Sequence, residues 1–410
     1  MEENYLRELR LMLEELCCDL CRFEHLHRDG ISPEHVLIDR EYNLGAPGTF
    51  ADIHVLPDGK RPYCIEVDNG YSRQAMLQSL KRKYARDTPE VRELAKVAVV
   101  VDSEAGPDRE QLHRQMKGSF LPDLPFEVWD EERLLGLIQD VFGIRINSLT
   151  AANLLNVRDA INRAEGFLAF GDRSPEEHVN SPLQSSLLWH FSFWRLAQIR
   201  KQSDVATRDI LPPGHYRGVV VLAVDLCGFS GYVRDTRDDG ILRRHLTSFY
   251  SKGRSQIIDS GGMLYQIVGD EIIGVFGIPD RRANYIQDAL RAAISLLNVG
   301  FSVTRSWQRQ LDRCQPSEGV HIGMAIGDIQ LVSLRPFSRT YLGIVGDTIN
   351  VAARLMSEAG PGEIIISNWL HHELGDASGH QFSELQPIDA RNIGRIKAWK
   401  LALSSQPSIS

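Results

Sequence analysis

No long apolar run occurs in this 410-residue sequence. Val219–Val224, among the most hydrophobic stretches, spans six residues, against the roughly 20 that a membrane helix needs. No membrane partner is therefore expected. The opening residues MEENYLRELRLMLEEL carry charges in every turn and hold no apolar signal core, which predicts a cytoplasmic protein. Positive charge is also short: 46 Lys and Arg stand against 54 Asp and Glu, a formal net charge of −8. That balance excludes a chain whose whole surface coats nucleic acid and leaves room only for a local basic face. Cysteine is scarce, with six residues. Cys17, Cys18 and Cys21 share a helical stretch with His25, but no second ligand pair of matching spacing follows, so a core role is expected. Repeats and low-complexity tracts are absent.

What is present suits folded cores: 43% hydrophobic and 24% charged residues, over a length that predicts two or three units. Residues 1–145 read as an α/β unit. A helix near Tyr5–His25 precedes the strand-like runs HVLID, TFADIHVL and PYCIEVD. A helical pattern over Ser72–Arg86 and the buried-strand run VAVVVD follow, then a strand leading into a helix within Phe126–Phe142. Residues 146–213 read as a helical linker or dimerisation region. Its helices are expected at Leu149–Leu168 and Leu183–Arg200, the second crowded with Trp189, Phe191, Phe193 and Trp194. Such aromatic density predicts core or dimer contact rather than base stacking. Leu-Pro-Pro-Gly at 211–214 punctuates the chain, and residues 214–405 alternate strands and helices as an α+β domain. Strands are expected at Val219–Val224, His321–Ala325 and Ile329–Val332, and helices at Leu242–Ser260, Arg282–Leu311 and Thr348–Ala359. Met263–Ile267 and Glu271–Phe276 read as a hairpin.

Two acidic loops carry candidate chemistry. In VVVLAVDLCGFSGYV, Asp225 ends an apolar strand; in YQIVGDEIIGVFG, Asp270 sits at a hairpin tip. A carboxylate at the end of a buried strand is costly unless it is solvated or faces positive charge. Two of them on neighbouring strands suit a pair of hard cations holding phosphates. The turn Leu226-Cys227-Gly228-Phe229 opens a helix whose first N–H groups favour phosphate. Taken singly, each Asp could equally cap a turn; the joint pattern favours the cation site.

With these loops, HIGMAIGDIQLV and YLGIVGDTINVAARLMSEAGPGEIIIS complete a collinear set, and residues 216–403 resemble the class III adenylate and guanylate cyclase domain. The resemblance implies a ferredoxin-like β-α-β-β-α-β core. It also implies two divalent ions, Mn²⁺ or Mg²⁺, at Asp225, Asp270 and the backbone of Leu226, with Phe229 beside the substrate. Asn350 would position the ribose, and Arg354, at i+4 on the same helix face, would stabilise the transferring phosphate. In the family these two groups come from opposite subunits, implying a head-to-tail homodimer with shared active sites. The family's triphosphate lysine has no exact counterpart; Arg391, in ARNIGRIKAW, falls nearest.

The base-reading positions depart from the family. Four residues before the second Asp stands Gln266, and seven before the Asn stands Gly343, where adenylate cyclases carry Lys and Asp or Thr. Gln266 shares a strand face with Val268 and Asp270, and its amide both donates and accepts, which suits uracil, cytosine or adenine. The purine-reading pair is gone. The domain is thereby similar to pyrimidine cyclases of bacterial antiphage signalling (the Pycsar type). This implies a cyclic UMP or cyclic CMP synthase, uridylate favoured, whose product a separate effector senses. An adenylate cyclase with an atypical pocket is the alternative.

The order helix–strand–strand–strand–helix–strand at the N-terminus resembles the restriction-endonuclease-like fold. Asp52 and Glu66-Val67-Asp68 stand in the family's order, but Asp68 takes the Lys position. Three acids could still bind a metal, and Lys81, Arg82 and Lys83 could meet nucleic acid, although a solvated face is expected of such a run. The unit is expected to be degenerate and kept for sensing. A nuclease-type defence protein with a regulatory cyclase domain is the alternative of another class.

Overall fold

The computed structural model describes residues 2–68, 72–101, 109–171, 182–203, 205–311, 314–334, 341–375, 380–390 and 394–402. The chain divides into two compact units, Met1–Glu165 and Gly166–Ser410.

In the first unit, α1 (Glu2–Glu24) turns Leu9, Leu13, Leu16, Cys17, Leu20 and Cys21 inward at helical spacing. It runs into a π-helical turn, His25–Asp29, where His25 meets Asp29 Oδ2 at 2.6 Å and Tyr63 Oη at 3.1 Å. Five strands follow: β1 (Val36–Asn43), β2 (Phe50–Pro57), β3 (Tyr63–Val67), β4 (Val97–Val100) and β5 (Phe126–Trp129). They lie in sequence order, antiparallel from β1 to β3 and parallel from β3 to β5. α2 (Arg73–Tyr84) and α3 (Pro89–Glu93) connect β3 to β4, and α4 (Arg109–Lys117) precedes β5. β3 and β4 are buried along their whole length, as strands covered on both faces must be. α5 (Glu131–Phe142) starts on the Asp130 cap, and α6 (Ala151–Phe170) crosses the division between the units.

The second unit opens with α7 (Pro182–His190) and α8 (Phe193–Ser203). One helix was expected over Leu183–Arg200; the chain breaks it at Phe191-Ser192. Neither residue is a local breaker, and the break comes from tertiary packing. It buries Phe191, Phe193 and Trp194 while Trp189 stays half exposed, so three of the four aromatics are core.

β6 (Gly214–Leu226), α9 (Phe229–Asp235), α10 (Asp239–Asp259), β7 (Met263–Val268), β8 (Glu271–Phe276), α11 (Tyr285–Leu311) and β9 (Val320–Leu334) then build the expected kernel. Its strand order, β9-β6-β8-β7, is that of a ferredoxin-like β-α-β-β-α-β unit. β10 (Tyr341–Val345) pairs with β9, and α12 (Asp347–Glu358), β11 (Ile364–Ser367) and α13 (Asn368–Leu374) follow. β12 (Gln381–Glu384) and β15 (Ala398–Ala402) extend the sheet beyond β11, while β13 (Ile388–Ala390) and β14 (Gly394–Ile396) form a separate ribbon. β9 is one continuous strand where two were expected. Gly327-Asp328 has local turn character, but Asp328 Oδ1 accepts the Gly218 N–H at 2.9 Å and ties the strand to β6. Val220, Leu222 and Val224 of β6, with Ile322 and Met324 of β9, pack with α11 residues Ala289, Leu296 and Val303 in the main core.

Candidate active site

Strand alternation decides what shares the opposite sheet face. Asp225 lies two residues beyond Ala223, and Gln266, Ile273, Ala223 and Gly323 are successive cross-strand partners. Gln266 and Asp225 therefore occupy one face, away from the α11 core. His321 is the direct partner of Asp225, and its Nε2 stands 3.1 Å from Asp225 Oδ2. Asp270 follows Gly269, whose φ of +61° shapes the hairpin tip. The Tyr250 hydroxyl on α10 donates to the Gly269 carbonyl and holds that tip.

The two carboxylates face each other within hydrogen-bonding reach. Burial, then the Asp225 carboxylate itself, push Asp270 up to about 7. His321 is pushed up to about 10, first by its hydrogen bond to Asp225. Two hard oxygen donors that repel one another at the end of apolar strands fit a divalent cation of the Mg²⁺ or Mn²⁺ kind. The imidazolium of His321 is the positive partner that this chain itself provides.

Leu226 sends its side chain into the core, leaving only its backbone to face the site. Phe229 packs edge-on to Trp307, centroids 6.3 Å apart, which anchors the turn after Asp225. Gly343 pairs with Val332 on β9. The register of β7 slips between Leu264 and Gln266, making Tyr265 an inserted residue. Its hydroxyl oxygen accepts the Ile344 N–H at 3.0 Å. That bond links β7, which carries Gln266, to β10, which carries Gly343.

Asn350 and Arg354 lie on the exposed side of α12. α12 seats closely on β9 because Gly323 and Gly327 face it; a Cβ at Gly323 would strike the Ala352 carbonyl and the Met356 backbone. Arg354 bonds to the Asp389 carbonyl at 3.1 Å and to Glu358 at 2.8 Å. Among the described residues, no hydrogen bond or ion pair joins Asn350 or Arg354 to Asp225 or Asp270. Arg391 lies outside the described residues. Sequence reasoning assigned no role to His321 or Tyr265. His321 opens a recognised motif, but only the strand register sets it opposite Asp225, and only the bulge aims Tyr265 at β10.

The N-terminal acids behave differently from the expectation. Lys83 is not on a solvated face: its side chain is 11% exposed and pairs with Glu66, with Asp52 Oδ1 3.8 Å away. Tyr84 donates to Glu66 at 2.5 Å, Arg10 to Asp52 at 3.0 Å, and the Val67 N–H to Asp52 at 2.8 Å. Burial pushes Glu66 up to about 8 and Asp68 up to about 6. The Lys83 amine thus reaches Glu66 from α2. Among the described residues, no group of three or more His, Cys, Asp or Glu is placed to hold a metal. Lys83 and Tyr84 both engage Glu66, Arg10 and the Val67 N–H engage Asp52, and Lys83 bridges toward Asp52 as well. No helix among these residues is long and apolar enough to cross a membrane.

The β-α-β-β-α-β kernel thus carries two carboxylates, Asp225 and Asp270, at adjoining strand ends. The chain matches the sequence model of the adenylate and guanylate cyclase catalytic domain over residues 211–402. It is 25% identical over 187 residues to an adenylate cyclase of Mycobacterium tuberculosis, covering 45% of this chain and 40% of that protein. Over 204 residues it is 25% identical to the receptor-type guanylate cyclase gcy-23 of Caenorhabditis elegans, 48% of this chain and 18% of that protein. The chain thus spans well under two thirds of these relatives. Among solved structures, the adenylyl cyclase CyaB from P. aeruginosa aligns with a TM-score of 0.43 and 18% identity, over 48% of this chain and 98% of that one. The guanylyl cyclase Cya2 aligns with 0.40 and 22%, over 48% and 98%.

Proposed function

We propose that residues 214–405 close a ribonucleoside triphosphate into its 3′,5′-cyclic nucleotide, releasing pyrophosphate, with UTP preferred over CTP. The facing pair Asp225 and Asp270 carries this reading: two carboxylates that repel each other at adjoining strand ends call for cations and for the phosphates cations hold. Mn²⁺ or Mg²⁺ bound there would neutralise the triphosphate and acidify the ribose 3′-hydroxyl. The 3′-oxygen attacks the α-phosphorus, the bond to the α–β bridging oxygen breaks, and the hydroxyl proton leaves to solvent. Asn350 orients the ribose and Arg354 meets charge on the transferring phosphate. Both stand on an exposed helix face and, among the described residues, neither is bonded to Asp225 or Asp270; a second copy supplies them in a head-to-tail homodimer. Arg391 is the candidate cation for the triphosphate tail.

The pyrimidine preference rests on Gln266 of β7 and Gly343 of β10, whose neighbours Tyr265 and Ile344 are hydrogen-bonded to each other. A glutamine amide with a glycine opposite reads a mixed donor–acceptor edge and supplies no purine-reading pair. Because the Tyr265 oxygen accepts from Ile344, its own proton is free to donate to a base carbonyl. The product would serve as an antiphage messenger for a separate effector. The names of the curated relatives favour a second reading, an adenylate cyclase with an altered pocket. Mass spectrometry of products from the full chain with Mn²⁺ and all four ribonucleoside triphosphates separates these readings. A cyclic pyrimidine is expected, and cyclic AMP as the dominant product ends the pyrimidine assignment.

The N-terminal unit reads as a restriction-endonuclease-like fold turned to sensing, with Lys83 standing in a cation's place between Glu66 and Asp52. Incubating the full chain with DNA and RNA and either metal tests this, since efficient cleavage contradicts it.

A further inference from the structure

α7 is fastened to the catalytic strands by polar contacts that the proposed chemistry does not use. His190, its last residue, meets the Leu264 carbonyl oxygen at 2.6 Å through Nδ1; facing an acceptor, that nitrogen carries the proton and donates it. Leu264 lies on β7, the edge strand of the large sheet, immediately before the bulge at Tyr265. Edge-strand carbonyls lack a strand partner on their outer side, and bulges are where strands deform.

A second contact grips the same helix end. Arg254 on α10 donates Nε to the Trp189 carbonyl at 3.1 Å and Nη2 to the Leu188 carbonyl at 2.6 Å. These are last-turn carbonyls that a helix cannot satisfy internally. The Arg254 guanidinium also stands 5.3 Å from the Trp189 ring centre. Four residues earlier on the same face of α10, Tyr250 holds Gly269, the neighbour of Asp270. The segment Leu264–Asp270, which carries Tyr265, Gln266 and Asp270, is therefore held at its start by His190. At its end it is held by the helix that also clamps α7.

We infer that His190, with Arg254, is a positioning residue: the C-terminal end of α7 sets the bulge and hairpin that present the base-reading side chains and Asp270. The helical segment before the catalytic strands thereby tunes base selection without touching substrate. This rests on the cyclase reading of Gln266 and Asp270 above.

The test uses the full chain. His190→Leu keeps bulk and removes the donor, and His190→Asn returns an N–H near the place of Nδ1. Turnover of UTP, CTP, ATP and GTP is measured together with hydrogen exchange across 264–271. His190→Leu is expected to lower kcat/KM on the preferred triphosphate about five- to tenfold, to narrow the preference among the four, and to speed exchange. His190→Asn is expected to reverse all three. A loss of stability alone would lower all four rates equally and leave their ratios intact. Unchanged ratios, or unchanged exchange, overturn the inference. Absence of any cyclic product from the wild type rejects the cyclase reading instead, and exchange then decides the latch by itself. Should His190→Leu fail to fold, Arg254→Gln removes the clamp on the α7 carbonyls and is judged by the same measurements.

Discussion

Asp225 and Asp270 repel each other, and His321 is the only positive group that strand pairing delivers directly to them among the described residues. Replacing either aspartate by Ala removes one of the two carboxylates, and turnover is expected to vanish with Mg²⁺ and with Mn²⁺ alike; a product assay on each variant checks it. His321 acts the other way. A cation approaching Asp225 must compete with an imidazolium already on Oδ2. His321→Asn should therefore reach half-maximal activity at several-fold lower Mn²⁺ than the wild type, as a metal titration would show.

At the scale of elements, α12 depends on what β9 leaves out. Gly323 lets the helix backbone seat directly on the strand. Gly323→Ala should force α12 outward, cost about 1–3 kcal/mol of stability by overpacking, and depress turnover further by moving Asn350. Thermal unfolding and kinetics on the same preparation check both effects. The elements that sequence made legible are those whose local pattern and tertiary role agree. β6 is an apolar run ended by Asp225, β7 and β8 flank a Val-Gly-Asp tip, and α12 follows Gly346 with an amphipathic stripe. The failures arise where tertiary contacts override local signals. Nothing in Phe191-Ser192 announces the break between α7 and α8, which follows from burial of the surrounding aromatics and from anchorage of His190 on β7. Gly327-Asp328 looks like a turn, yet pairing with β6 carries β9 straight through it. Lys83 belongs to a basic run that reads as surface, and only the neighbouring strands reveal the carboxylates that draw it inward. The site follows the same rule: Asp225 and Asp270 were visible as misplaced charges, whereas His321 and Tyr265 needed strand register and a bulge.

For the whole molecule, the separation of the functional side chains is the consequential fact. The aspartates lie on the sheet face at the ends of β6 and the β7–β8 hairpin, while Asn350 and Arg354 stand outward on α12, with Arg354 engaged by Asp389 and Glu358. If both sets act on one triphosphate, the reacting unit contains two copies of the chain, each lending a different half. Two-fold symmetry then makes a strict demand. Asp225→Ala and Arg354→Ala should each be inactive alone, since every site in either homodimer lacks one half. Mixed and allowed to exchange subunits, they form heterodimers in which one site is intact and the other lacks both halves. Random pairing should restore about a quarter of the wild-type activity per chain, with a rise that follows the subunit exchange rate. A mixture that stays silent while sedimentation shows heterodimers would refute the shared site and require Arg354 to reach Asp225 within a single chain.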